Sequence, residues 1–297
     1  TGGNEEGSMV GASIAYKGKR FITHSTLHHE HSAIRTFTWK QVLFVVCVLV
    51  ALVYGFVSAP LPTAITLIGI LTGIYCFDVL FNFFLVMRSL RNPVEIVSTS
   101  EHISAIDESS LPIYSVLCPL YKEAAVLPQF IDAMEKLDWP KDKLEVLLLL
   151  EEDDTETIEH AHAMGLHSHI RVVVVPHSFP KTKPKACNFG LSLARGEYIV
   201  IFDAEDKPEP SQLKKAYLAF KKFPEGGVCL QAKLGYYNTN QNLLTRLFSA
   251  EYALWFDLVL PGLQSIGAII PLGGTSNHFA KKDLEALHGW DPFNVTE

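Results

Sequence analysis

Two charge-poor stretches lie back to back near the start of the chain. Residues 41–57 carry no charged side chain, and residues 63–87 carry only Asp78. Backbone placed in lipid must satisfy its own hydrogen bonds. At about 1.5 Å per residue, each stretch folded as a helix crosses a hydrocarbon core of roughly 30 Å. Two spanning helices are therefore expected. The link through Ser58, Ala59, Pro60, Leu61 and Pro62 is short enough only for a hairpin turn, with its prolines punctuating both helices. Lys17, Lys19, Arg20, Arg35 and Lys40 precede the first span, Arg88 and Arg91 follow the second, and the turn has no basic residue. Both flanks are expected on the cytoplasmic side. An apolar region this long, placed well inside the chain and followed at once by a second span, is unlike a cleaved signal peptide.

Asp78 is costly inside a bilayer, about 2.5–3.5 kcal/mol at a helix centre, and is expected to face a partner helix or a polar lumen. The formal charge of −7, with no basic stripe, argues against nucleic acid as a partner. Five cysteines, Cys47, Cys76, Cys118, Cys187 and Cys229, lack metal-ligand spacing and read as small core residues in a reducing compartment. Residues 1–38 read as a polar tail with His24, His28, His29 and His31. Histidines this dense can bind metal, but no periodicity promises a fixed structure to hold one. Residues 39–91 form the hairpin, 92–111 a Ser-rich linker, and 112–297 a catalytic domain.

From residue 113 the chain alternates short apolar runs with helical ones. Strands are expected over 113–118, 145–150, 171–175, 198–202 and 228–231, with helices over 124–137, 155–164, 185–194 and 209–223. This is an α/β pattern, a mostly parallel Rossmann-like sheet with right-handed crossovers. The strand ending at Phe202 runs into Asp203, Glu205 and Asp206, and Pro208 and Pro210 forbid its continuation. In an open α/β sheet that carboxyl edge is where ligands bind. Carboxylates this close repel unless a cation such as Mg²⁺ or Mn²⁺ neutralises them; the plainer reading is a turn that caps the next helix. Three more clusters fall on the same edge: 118–123, the acids 151–154, and Lys181, Lys183 and Lys185 before Asn188. Acids to hold a ribose and a metal, beside lysines to meet phosphate, suggest a metal-held nucleotide diphosphate.

At these residues the chain resembles the family 2 glycosyltransferases of the GT-A fold, and among them the membrane-embedded polysaccharide synthases of the cellulose synthase type. The resemblance runs from about Pro112 to Glu297. It implies that Tyr121 and Glu123 touch the nucleotide base and that Glu151 and Glu152 stand where the family usually has Asp-Asp, at the uridine. Lys185 and Asn188 match the Lys-Ala-x-Asn motif that serves the uridine diphosphate. Asp203 and Glu205 match the metal-binding Asp-x-Asp, with Asp206 as an alternative second acid. Gly274, Thr275, Ser276 and His278 fall in a Gly/Ser-rich turn beside the acceptor sugar, and the 231–238 segment is similar to the border of the donor sugar. The apolar run 243–263 reads either as an amphipathic helix at the membrane surface or as a core helix.

Residues 290–297 resemble the start of the family's Thr-Glu-Asp motif, whose Asp is the general base. On that likeness the base would follow Glu297, so the catalytic residue itself is not assigned, and an inactive fragment of a longer protein is the expectation. The activity implied is inverting transfer from a UDP-sugar to a growing β-linked glycan. The implied setting is a bacterial-type inner membrane, multi-pass, with the catalytic domain cytoplasmic and further synthase subunits as conceivable partners. Two rivals share the donor motifs: transfer of a single sugar to a polyprenyl phosphate, and a non-catalytic nucleotide-sugar-binding component of a synthase complex.

Overall fold

A computed structural model describes residues 13–16, 19–22, 32–222 and 229–294, the first two stretches by their backbone alone. Within the segment read as a tail, β1 (Ser13–Tyr16) and β2 (Lys19–Ile22) pair as an antiparallel ladder. His24, His28, His29 and His31 lie outside the described residues. The chain divides into two compact units. One comprises Thr1–Ile34, Ile96–Ala232 and Leu272–Glu297, the other Arg35–Glu95 and Lys233–Pro271.

In the second unit, α1 (Trp39–Ser58) opens on a reciprocal cap. The Gln41 N–H donates to Thr38 Oγ1 (3.4 Å), and the Thr38 N–H to Gln41 Oε1 (2.7 Å). Only Ala59 separates α1 from α2 (Pro60–Arg91), so the expected turn over 58–62 shrinks to one residue. Proline lacks the N–H that a helix's first position leaves unused, and Pro60 therefore starts α2 instead of ending α1. The two helices close tightly at Gly55, where a Cβ would meet Thr63 Oγ1 at 2.8 Å. Both are long and apolar enough to cross a membrane, and their apolar windows are unburied. Helices apolar on every side need apolar surroundings.

In the first unit, the stretch read as a linker folds locally. It contains α3 (Ser100–Ser104), whose His102 N–H is capped by Thr99 Oγ1 at 3.3 Å, and a 3₁₀ turn at Glu108–Ser110. Then β3 (Tyr114–Leu120), β4 (Leu144–Glu151), β5 (Ile170–Val175) and β6 (Tyr198–Ile201) pair in parallel in the order β5-β4-β3-β6. The helices α4 (Leu127–Glu135), α5 (Thr155–Ala163), α6 (Lys183–Leu193) and α7 (Gln212–Lys222) alternate with them, close to the expected boundaries. Side-chain alternation sorts β4 into two cores. Val146, Leu148 and Leu150 share one with Phe130, Met134, Leu213 and Tyr217, while Leu147 and Leu149 share the other with Ala186, Cys187 and Leu191. A strand covered on both faces reads as an unbroken apolar run, which is why these strands are visible in the sequence.

The chain next forms β7 (Cys229–Gln231), then α8 (Leu243–Ala253), a π-helical turn (Leu254–Val259) and α9 (Leu260–Ser265). The last three belong to the helical unit and follow one another without a break, so the helix expected over 243–263 is present with a π-helical turn inside it. Leu243, Leu244 and Leu247 on α8 are exposed, and at Gly262 a Cβ would meet the Leu85 carbonyl oxygen of α2 at 2.5 Å. The chain returns as β8 (Asn277–Ala280) and α10 (Lys281–Ala286). The sheet is mostly parallel, as expected, and the exception is β8, which the sequence does not announce: it runs antiparallel between β6 and β7, giving the order β5-β4-β3-β6-β8-β7. Four residues beginning with Asn277 and His278 carry too little apolar pattern to announce a strand.

Candidate active site

Parallel strands in register deliver their loops together. Leu120 stands opposite Leu150, and Leu117 opposite Ile201, so the segments 121–123, 151–154 and 203–206 all leave one carboxyl edge. The 181–185 segment arrives there from β5 with three lysines, and each meets a different acid. Lys181 pairs with Asp153, Lys183 Nζ lies 2.6 Å from Asp203 Oδ1, and Lys185 Nζ lies 2.6 Å from Glu151 Oε2. The Thr182 hydroxyl starts α6 by accepting the Lys185 N–H at 3.4 Å.

Lys185 and Asn188 lie one turn apart on the inward face of α6, and both are fully buried. Burial pulls the Lys185 ammonium below its ordinary range and pushes the Glu151 carboxyl above its own. The same desolvation opposes charge on both, and their mutual hydrogen bond is what keeps the pair ionised. Asn188 donates from Nδ2 to the Trp290 carbonyl (2.6 Å) and accepts the Trp290 N–H at Oδ1 (2.9 Å). Both motif residues thus sit a layer beneath the open edge.

The four acids after β4 take different tasks. Glu152 accepts the His177 N–H at 2.8 Å, tying β4 to the segment after β5. Asp154 is buried, caps α5 through the Thr157 N–H (3.3 Å), and accepts the N–H of Lys122 (2.6 Å), a residue at φ 59°. Asp153 is exposed, with the Tyr121 hydroxyl at 3.5 Å, and the Lys181 hydrogen bond holds its carboxyl below the usual range. The exposed Tyr121 ring has the ammonium groups of Lys122 and Lys181 at 5.2 and 5.4 Å from its centroid. Glu151 and Glu152, expected at the uridine, face Lys185 and the His177 N–H instead of Tyr121. The acid beside the tyrosine is Asp153.

Asp203 and Asp206 diverge. The Asp206 carboxylate accepts the Asp203 N–H (2.8 Å) and the Thr275 hydroxyl, and burial pushes its carboxyl upward. It staples the turn. Asp203 is half-buried and Glu205 exposed, and beside them Glu123 is raised first by burial and then by the charges of Glu205 and Asp203, partly offset by Lys183. Among the described residues no three ligands are already closed on one point. The positive charge at Asp203 is the Lys183 ammonium, which also donates to the Gly274 carbonyl at 2.5 Å. The carboxylates of Asp203 and Glu205 are hard oxygen donors of the kind a Mg²⁺ or Mn²⁺ ion would require.

The Gly/Ser turn underpins these acids. The Thr275 hydroxyl serves Asp206, and Ser276, at φ 57°, donates its N–H to the Ile201 carbonyl at 2.8 Å. His278 corrects the acceptor-side expectation. Strand alternation turns it to the core, with Nδ1 2.7 Å from the Tyr114 hydroxyl and Nε2 3.0 Å from Gln212 Nε2. Burial lowers its pKa to about 3, so it is a neutral core histidine, and 1% exposure leaves it no surface to offer a sugar. Its partners Tyr114 and Gln212 carry no signal in the sequence. Glu297 lies outside the described residues.

A mostly parallel sheet that gathers acids and lysines at its carboxyl edge, with an antiparallel strand inserted beside the metal-type turn, defines the GT-A class of α/β transferases. Residues 115–279 match the family model for glycosyl transferase family 2. That stretch is more than half of the 297 residues, and the chain belongs to this family. A probable glycosyltransferase of Bacillus subtilis, YdaM, is 27% identical over 189 residues, covering 63% of this chain and 45% of the relative. A beta-monoglucosyldiacylglycerol synthase of Nostoc is 26% identical over 194 residues, covering 64% and 40%. The chain therefore spans under half the length of these curated relatives. A mannosyltransferase of Pyrobaculum calidifontis, solved in complex with GDP-Man and Mn²⁺, superposes with a TM-score of 0.54 at 19% identity, covering 76% of this chain and 60% of that one. That likeness shows the fold.

Proposed function

We propose that the protein is an inverting glycosyltransferase that takes a UDP-sugar with Mg²⁺ or Mn²⁺ and extends a β-linked polysaccharide at the cytoplasmic face of a membrane. The observation that carries the reading is the carboxyl edge of the sheet, where Asp203, Glu205 and Glu123 crowd together opposite Lys181 and Lys183. Tyr121 and Asp153 offer a flat face and an acceptor suited to a nucleobase. Lys181 and Lys183 are placed to meet a diphosphate, while Asp206 and Thr275 fix the Asp203 turn. A divalent ion held by Asp203 and Glu205 would supply Lewis-acid relief of the charge that builds on the departing diphosphate. The two apolar helices favour work at a membrane.

A second reading has its own support. The relative named as a beta-monoglucosyldiacylglycerol synthase favours a membrane lipid as the acceptor of a single sugar. One experiment covers both. Protein purified in detergent should bind UDP with Mn²⁺ and lose it on chelation. Membranes holding the whole protein, with the expected Asp base in place, and supplied with labelled UDP-sugars should then yield label in a polymer that elutes early on size exclusion. UDP binding indifferent to EDTA would overturn the metal-assisted part, and label extracted wholly into organic solvent would replace polymer extension by the lipid reading.

A further inference from the structure

Lys183 opens α6 and reaches across to the end of β6. Its Nζ is 2.6 Å from Asp203 Oδ1 and 2.5 Å from the Gly274 carbonyl oxygen, with 16% of the side chain exposed. A carboxylate and a carbonyl converging on one ammonium make the oxygen surroundings that a hard cation takes. The neighbouring acids Glu123 and Glu205 add negative charge around that point, and Lys183 is the group that offsets it at Glu123. Neither of the other two lysines holds this position. Lys181 is on Asp153, and Lys185 is buried on Glu151.

We infer that Lys183 is a tethered placeholder cation: it holds Asp203 until a divalent ion takes that carboxylate, and the displaced ammonium then pairs with the diphosphate of the donor. The inference rests on the donor-site reading above and adds a residue that the metal and the nucleotide feel with opposite sign. A lysine tethered by a side chain and a metal ion from solution compete for one carboxylate, so removing the lysine favours the ion. Removing it also takes one positive charge away from the nucleotide. A purely structural lysine would weaken both together.

The test uses the full chain in detergent and Mn²⁺ alone, with free Mn²⁺ counted by its paramagnetic resonance signal. Lys183→Met should bind Mn²⁺ about tenfold more tightly than wild type, the scale of one like charge removed beside a divalent ion. Lys215→Met, which breaks an ion pair with Glu209 outside the site, should leave Mn²⁺ binding unchanged. Adding Asp203→Asn to Lys183→Met should erase the gain. At saturating Mn²⁺, Lys183→Met should bind UDP about tenfold more weakly. Lys183→Gln serves in place of Met if the latter fails to fold. Unchanged or weaker Mn²⁺ binding by both Lys183 variants, or a gain that survives Asp203→Asn, would overturn the inference. Absence of UDP binding by wild type would sink the donor-site reading, while the Mn²⁺ measurements would still decide the placeholder role.

Discussion

The acids after β4 and the acids after β6 look alike in sequence and leave the same edge of the sheet, yet the molecule treats them differently. Each carboxylate of the 151–154 group is answered by the protein: Glu151 by Lys185, Glu152 by the His177 N–H, Asp153 by Lys181, and Asp154 by the N–H groups of Lys122 and Thr157. In the 203–206 group only Asp206 is absorbed in this way, by a backbone N–H and a hydroxyl. Asp203, like Asp153, has a lysine ammonium as its partner, and Glu205 projects to solvent. Glu151, Glu152 and Asp154 are engaged within the domain, whereas Asp153, Asp203 and Glu205 keep the partly or fully exposed charge that the proposed donor would meet.

The largest expected effect lies in the first group. Lys185→Met strands the buried Glu151 without its counter-ion, a change that typically costs about 3–5 kcal/mol. Thermal melting should show a large drop, mostly recovered when Glu151→Leu is added. A small drop in the single variant would mean that water reaches the pair. The next effect belongs to the second group. Asp203→Asn should weaken Mn²⁺-dependent UDP binding by at least about tenfold while leaving the melting temperature in chelator close to wild type. A loss of stability equal to that of Lys185→Met would erase the distinction between the groups.

The smallest effects are slopes of stability with pH, and their signs are opposite. Burial places the folded Asp206 carboxyl above its ordinary 3.8, so the fold favours its proton, and its contribution declines as pH rises from 3.8 through the folded value. Asp206→Asn, fixed neutral, should gain on wild type across that interval. The Lys181 bond depresses Asp153, whose contribution is present above 3.8 and fades as pH falls through the folded value. Asp153→Asn should therefore trail wild type slightly at neutral pH and converge with it in acid. Melting curves between pH 3 and 7 check both; parallel slopes would show that the two acids share one environment.

These assignments mark where sequence reading stops. The hairpin was legible because absence of charge is a property of composition, and the central strands were legible because burial on both faces writes unbroken apolar runs. The one-residue turn at Ala59 was not, since Pro60 can end one helix or begin another with equal ease. Strand β8 was hidden by its polar start and by the helical excursion that separates it from its neighbours. At the candidate site, residue types pointed to the carboxyl edge of the sheet, where these segments do gather. Which oxygen meets which proton was out of reach, because Thr275 serves Asp206, Tyr114 and Gln212 engage His278, and Asn188 braces Trp290 only after distant segments have packed.

The close approach of Gly262 to the Leu85 carbonyl carries a consequence for depth. Leu85 lies 25 residues beyond Pro60 in α2 (85 − 60), about 38 Å along the axis, farther than the roughly 30 Å of hydrocarbon in a bilayer. With Pro60 at one boundary of the bilayer, as proposed for a spanning α2, the contact stands at the height of the opposite headgroups. Because any side chain larger than hydrogen at 262 would push the two helices apart, α9 has little freedom to ride up or down. If α2 spans a bilayer, it would act as a ruler that fixes the level of α9 through this one close contact.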